Sequence, residues 1–188
     1  MAFDILSVFN IFILVEAIWL ILPAYAANGL VPFFKGKHPV DFNKKFFDGR
    51  PILGPGKTWE GLFYGTVFGI LIAAIEIFSF PYLEPFFSLS PVQLNIVPMS
   101  GVLGLLLGIG AISGDMIASF FKRRFGLKRG QAAPILDQDD FIVGALIFAA
   151  FLVVIKTEWI ILLLVITPLF HLLANAIGYL IKVKKQPY

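Results

Sequence analysis

Five stretches of this chain are long and apolar enough to cross a bilayer, and that pattern leaves few folds open. A transmembrane helix needs about 20 mostly apolar residues. The qualifying runs cover roughly residues 5–25, 59–80, 99–121, 139–156 and 159–181. Of 188 residues, 59% are hydrophobic and only 14% charged, too little polar surface for a water-soluble domain of this size. The expected fold is therefore all-α: five transmembrane helices in a single membrane-embedded domain spanning residues 1–188. The first run lacks a positively charged flank and a small-residue cleavage site, so it is expected to be retained as a span. There is no cysteine, which excludes disulfides and thiolate metal sites.

Charge orients the bundle. One basic loop, residues 35–58, carries Lys35, Lys37, Lys44, Lys45, Arg50 and Lys57. A second, residues 122–138, carries Lys122, Arg123, Arg124, Lys128 and Arg129, and a basic tail carries Lys182, Lys184 and Lys185. With five crossings, fourteen of the fifteen Lys and Arg fall on one side, and only Lys156 falls on the other. Cationic loops stay in the cytoplasm, so the N-terminus is expected outside and the C-terminus inside. A Pro-rich aromatic loop is expected from Pro81 to Pro98. Gly61, Gly65 and Gly69, and again Gly104 and Gly108, recur at four-residue spacing, which lets helix backbones approach closely in lipid.

The acids cluster on that cytoplasmic side. On a helix, Asp115, Ser119 and Lys122 fall at i, i+4 and i+7, giving one face an acid, a hydroxyl and a cation. A carboxylate at membrane depth is costly unless paired or bound to metal. Asp115 therefore either pairs with Lys122 or a neighbouring span, or holds an ion. Asp137 and Asp140, three residues apart at the start of the fourth span with Asp139 between them, lie where the helix dipole favours negative charge. One Asp would suffice as an N-cap; three exceed that need. Oxygen donors of this kind suit Mg²⁺, which binds through one or two carboxylates plus substrate phosphates. Asp115, Asp137 and Asp140 are thus the candidate metal ligands and catalytic acids, with one or two Mg²⁺ ions.

Lys57 and Thr58 stand in Gly54-Pro-Gly-Lys-Thr-Trp-Glu-Gly61. Gly-Lys-Thr suggests a nucleotide P-loop, but Pro51 occupies the place of the first glycine and no strand precedes it. A Gly- and Pro-shaped turn can still cradle phosphate through backbone N–H groups and the lysine; it can equally be an inside-positive flank of the second span. Glu16 and Glu76 lie within spans and are expected to pair with another helix. Asn28 and Asn175 are candidates for interhelical hydrogen bonds, His171 for a packed core residue and His38 for a solvated one.

Two motifs carry a family resemblance. Gly114-Asp115, Ser119, Lys122-Arg123, Gly126 and Lys128, followed by Pro134, Leu136-Asp137 and Asp140, resemble the signature of the CTP-dependent phosphatidate cytidylyltransferases. Gly56-Lys57-Thr58-Trp59-Glu60-Gly61 resembles their second shared segment. The chain lacks the usual Gly-His-Gly-Gly run, has Arg129 where an acid is usual and Gln138 where an Arg is usual. Those departures, with its short five-span length, resemble the archaeal, CDP-archaeol-forming branch of the family. The resemblance implies CMP transfer from CTP to 2,3-bis-O-geranylgeranyl-sn-glycerol 1-phosphate, with release of diphosphate, in membrane phospholipid biosynthesis. It implies substrate-binding roles for Lys57, Thr58, Glu60, Ser119, Lys122, Arg123 and Lys128 toward CTP and the lipid phosphate. The implied partners are CTP, an isoprenoid diether lipid phosphate and membrane lipid, with no nucleic acid; a homo-oligomer is left open. The rival readings are a CTP-dependent polyprenol or phytol kinase and a small ion-coupled transporter using Glu16, Glu76 and Asp115.

Overall fold

The computed structural model describes residues 9–34, 36–127, 131 and 136–180. Lys128 and the basic tail lie outside the described residues, as do the side chains of His171 and Asn175. Five α-helices make up the described chain: α1 (Ile11–Leu30), α2 (Trp59–Ser88), α3 (Gly101–Arg124), α4 (Leu136–Ala149) and α5 (Thr157–Leu180). A short 3₁₀ turn, Val31–Phe33, continues α1. Asn10, Thr58 and Ser100 are the N-caps of α1, α2 and α3. Asn10 accepts from the N–H groups of Phe12 and Ile13 at 3.0 and 2.9 Å, Thr58 from Gly61, and Ser100 from Leu103. Each satisfies first-turn donors that have no partner within the helix.

Among the described residues, three helices are long and apolar enough to cross a membrane: Ile11–Phe33, Trp59–Ser88 and Gly101–Arg124. α5 begins with a shorter apolar stretch, Thr157–Phe170. α4 has 14 residues, which at about 1.5 Å per residue is some 21 Å of helix, less than a bilayer core. The expected run 139–156 therefore begins earlier as a helix and ends earlier, at Ala149. The expected loop after Pro81 also starts later than the sequence suggests. α2 runs through Pro81 and Pro85 to Ser88, since each proline removes only one helical donor. Likewise Lys122, Arg123 and Arg124 form the last turn of α3 instead of opening a loop.

α3 is the central helix, packed between α2 and α4, with α1 and α5 closing the bundle. Glycines make both central contacts. A Cβ on Gly69 would meet the Gly104 carbonyl at 2.6 Å, and one on Gly144 would meet the Gly110 carbonyl at 2.2 Å. Only hydrogen fits at such crossings. Outside the bundle, large apolar side chains such as Phe63, Ile75, Phe78 and Ile147 face outward, the surface a bilayer solvates.

The end of the bundle remote from Asp115 is tied by Glu16. Its carboxylate accepts from the Asn95 N–H (2.6 Å), Lys156 Nζ (2.8 Å) and Trp159 Nε1 (2.9 Å), joining α1 to the α2–α3 connection and to the start of α5. Trp19 Nε1 donates to the Val97 carbonyl beside it. Glu16 thus pairs as expected, and with the one cation assigned to that side. Glu76, buried in α2, has no hydrogen-bond partner among the described residues for either carboxyl oxygen; the expected helix pairing is not made there.

Candidate active site

The site sits where the N-termini of α2 and α4 meet the C-terminus of α3. The segment before α2 is an ordered unit. Bridges link Pro39 to Thr58 and Lys45 to Pro51, and Asp41 serves as its internal anchor. The Asp41 carboxylate accepts from Asn43 N (3.0 Å) and from Leu53 N and Gly54 N (both 2.9 Å). Burial alone would raise this carboxyl's pKa, but the three backbone N–H groups outweigh it and hold it below the usual aspartate value. Gly54 takes φ of +96° there, a left-handed turn that glycine adopts without strain. The turn directs the chain through Pro55 and Gly56 to Lys57.

Lys57 is ion-paired with Asp115 of α3, 58 residues away in sequence. Lys122, two turns beyond Asp115, is paired with Asp137 and lies 3.9 Å from Asp140 of α4. The pairing of Asp115 with Lys122 weighed from the sequence is not made. Ser119 is buried between them on the same face. Arg123 reaches back to the Leu53 carbonyl at 3.4 Å and donates also to the Leu127 carbonyl. All of these groups but Asp140, which lies behind Lys122 and lines neither this cavity nor the next, face a cavity of about 740 Å³ whose walls include Arg50, Gly54, Lys57, Asp115, Ser119, Lys122, Arg123, Gln131 and Asp137. A second cavity, about 510 Å³, shares Pro55, Gly56, Lys57 and Asp115 with the first. It continues toward the end of α1, past Asn28, Val31, Pro32 and Phe34. The Lys57–Asp115 pair therefore stands between a chamber that also carries Arg50, Lys122, Arg123 and Asp137 and one whose lining includes Val31, Pro32 and Phe34.

Not every candidate from the sequence reaches these chambers. Thr58 lines only the smaller one, and its hydroxyl caps α2. Glu60 lines neither. Its carboxylate accepts from the N–H groups of Lys37 and His38, both at 3.2 Å, and meets His38 Nδ1 at 2.5 Å. His38, read as merely solvated, is thus a partner of Glu60. Asp41 and Arg50 were missed. Arg50 donates to the carbonyls of Arg123 (3.2 Å) and Arg124 (2.5 Å), capping α3 and walling the larger cavity. The Asp41 to Asn43 spacing fits a local Asx turn, but nothing local foretells its bonds to Leu53 and Gly54.

Residues 9–188 match the CarS-like family, described as CDP-archaeol synthase. The chain belongs to that family. The CDP-archaeol synthase of Methanococcoides burtonii is 43% identical over 177 residues, covering 89% of this chain and 99% of that one. That of Pyrococcus horikoshii is 43% identical over 175 residues, covering 93% and 97%. A solved structure of an intramembrane enzyme for archaeal membrane lipids biosynthesis superposes with a TM-score of 0.72 at 36% identity, covering 86% of this chain and 93% of that one. This CarS-like protein is accordingly a multi-pass membrane protein.

Among the described residues, no group of three or more His, Cys, Asp or Glu is arranged to hold a metal ion unaided. The donor set nonetheless suits an ion shared with substrate phosphates. Asp140 Oδ2 is buried without a hydrogen bond, and the carboxylates of Asp115 and Asp137 already face cations, in this case lysine ammonium groups. One or two carboxylates plus phosphate oxygens are the usual complement of Mg²⁺.

Proposed function

We propose that this protein is a CTP-dependent cytidylyltransferase. It joins CMP to 2,3-bis-O-geranylgeranyl-sn-glycerol 1-phosphate, giving unsaturated CDP-archaeol and diphosphate. The observation that carries this reading is the Lys57–Asp115 pair between the two cavities. CTP suits the larger, cationic chamber, and the lipid phosphate suits the smaller one, whose apolar rim at Val31, Pro32 and Phe34 continues toward the lipid phase. The two phosphates then meet at Lys57.

A phosphomonoester has its second pKa near about 6, so the lipid phosphate is already an anion at neutral pH and needs no general base. Its oxygen forms a bond to the α-phosphorus of CTP while the bond to the β-phosphate oxygen breaks, and diphosphate leaves with the electron pair. The protein's task is to hold two polyanions together against their repulsion. Lys57, Lys122 and Arg123 supply fixed positive charge at the chamber wall, with Ser119 as a hydroxyl donor among them. Lys128 joins this set on the resemblance alone. Thr58 and Glu60 act by holding the turn that presents Lys57. Asp115, Asp137 and Asp140 would hold Mg²⁺, which when bound shields phosphate charge and supports in-line displacement.

The five helices each cross the membrane in this reading, α4 as a short one, with the site on the cytoplasmic side, the N-terminus outside and the C-terminus inside. A single Lys44→Cys substitution, in this cysteine-free chain, should be labelled only from the cytoplasmic side of sealed cells. Labelling from outside would invert the orientation. The reaction itself is tested by supplying purified protein with CTP, Mg²⁺ and the lipid phosphate. Diphosphate and a CDP-lipid are the expected products; free CDP with a newly phosphorylated lipid alcohol would identify a kinase instead.

A further inference from the structure

The turn at Phe46–Gly49 is mounted rigidly yet displays apolar side chains. Backbone bonds close it: Phe46 N to the Arg50 carbonyl (2.8 Å), Gly49 N to Phe46 (2.9 Å) and Ile52 N to Lys44 (3.1 Å). Gly49 takes φ of +75° at the tip. The turn is then clamped onto the last turns of α3. Phe46 packs edge-on to Phe120 at 5.4 Å, with the Arg124 guanidinium over both rings at 4.7 and 4.8 Å. Arg124 also meets the Asp48 carboxylate at 3.2 Å and donates to the Pro51 carbonyl.

This mount holds Phe47 wholly in the open, 100% exposed, its ring 5.0 Å from that of Phe46; Phe42, Phe121 and Phe125 are exposed as well. Phe120 and Phe121 end the apolar run of α3, a helix long and apolar enough to cross a membrane. The turn clamped to them therefore lies at the level where that span leaves the hydrocarbon. Lys44 and Lys45 are exposed beside it, and neither is ion-paired among the described residues. An exposed aromatic beside unpaired lysines at the interface has the composition of a membrane-surface anchor.

We propose that the Phe46–Gly49 turn is an interfacial anchor that inserts Phe47 at the headgroup–acyl boundary while Lys44 and Lys45 take the phosphates of anionic bilayer lipids. Its occupant is the bilayer surface, not the lipid substrate, and it is independent of the reaction assigned above. Through Arg50, Arg124 and the Pro51–Gly54 segment, the anchor fixes the wall of the larger cavity relative to the bilayer.

The test uses the full chain with Phe47→Cys carrying an environment-sensitive fluorophore, reconstituted in phosphatidylcholine vesicles with or without phosphatidylglycerol. Phe47 is fully exposed and meets the Phe46 ring edge-on, while Phe46 keeps its own contacts to Phe120 and Arg124, so the substitution leaves the mount in place. With phosphatidylglycerol, a headgroup-proximal spin-labelled lipid is expected to quench the probe several-fold more than aqueous iodide does. That preference should weaken in pure phosphatidylcholine, and also when Lys44→Glu and Lys45→Glu are added. Iodide quenching that dominates in both vesicles would overturn the proposal. So would lipid quenching indifferent to both lipid charge and the lysine changes. Ready cross-linking of two unlabelled Phe47→Cys chains through the introduced thiol would also overturn it, by assigning the patch to a second copy.

Discussion

Asp115→Asn is expected to lower kcat about 10²-fold or more without raising the KM for CTP, the scale set by loss of one key electrostatic group in a transition state. Asn keeps the volume and removes the charge. The ammonium of Lys57, paired with Asp115 in the resting enzyme, keeps its charge for the triphosphate, so ground-state binding of CTP should hold or tighten. Lys57→Ala should behave differently, raising the KM for CTP and lowering kcat as well, because charge grows on the departing diphosphate. If Asp115 acts only by aiming Lys57, the double variant will be no worse than Lys57→Ala alone; if it also holds metal, the two losses will compound. A shift in Mg²⁺ requirement confined to Asp115→Asn gives a second reading of the same distinction. Steady-state kinetics on detergent-purified variants measures all of this, and near-parental kcat for Asp115→Asn at limiting Mg²⁺ would remove the metal role from that residue.

How far the sequence foretold this site follows from which interactions are local. The apolar runs, the basic segments and the acids beside them are properties of single elements, and they lead to helices and to one charged end. The pairing of those charges is not local. Asp115 and Lys122 share a face of α3, but seven residues rise about 10.5 Å along a helix, so they do not meet directly. Each is met instead by another element: Lys57 approaches from the turn before α2, and Asp137 from the start of α4. The glycine spacing on α2 and in Gly104 and Gly108 was legible because four-residue repeats stand out. Gly110 and Gly144 were not singled out, and Gly114 only as part of the family motif, although all three set the approach of α4 to α3; Gly144 stands alone in its run. The prolines in α2 misled for a related reason. A proline costs the helix one donor, and the rest of a long apolar helix still forms where the alternative is unpaired backbone in lipid.

A large structural effect that reaches the site is expected at Gly114, one residue before Asp115. A Cβ added there would lie 2.3 Å from the Asp140 carbonyl oxygen, 3.0 Å from Gly144 Cα and 3.1 Å from Gly144 N. All three are backbone atoms, so no side chain can rotate aside and α4 itself must move. Overpacking of this kind costs about 1–3 kcal/mol. The same displacement carries Asp137 and Asp140 away from Lys122 and Asp115, and about 1 Å of misplacement in a phosphoryl-transfer site is enough for a loss near 10²-fold. Gly114→Ala should therefore lower both the melting temperature in detergent and the turnover. Gly29→Ala supplies the control: in α1, with nothing within 4 Å of its added Cβ, it should be neutral or stabilising by about 0.5–1 kcal/mol, the ordinary helix gain of Ala over Gly. A Gly114→Ala enzyme that melts and turns over like its parent would mean that α3 and α4 cross less closely than described, and that the acids of α4 are not held in place by this contact.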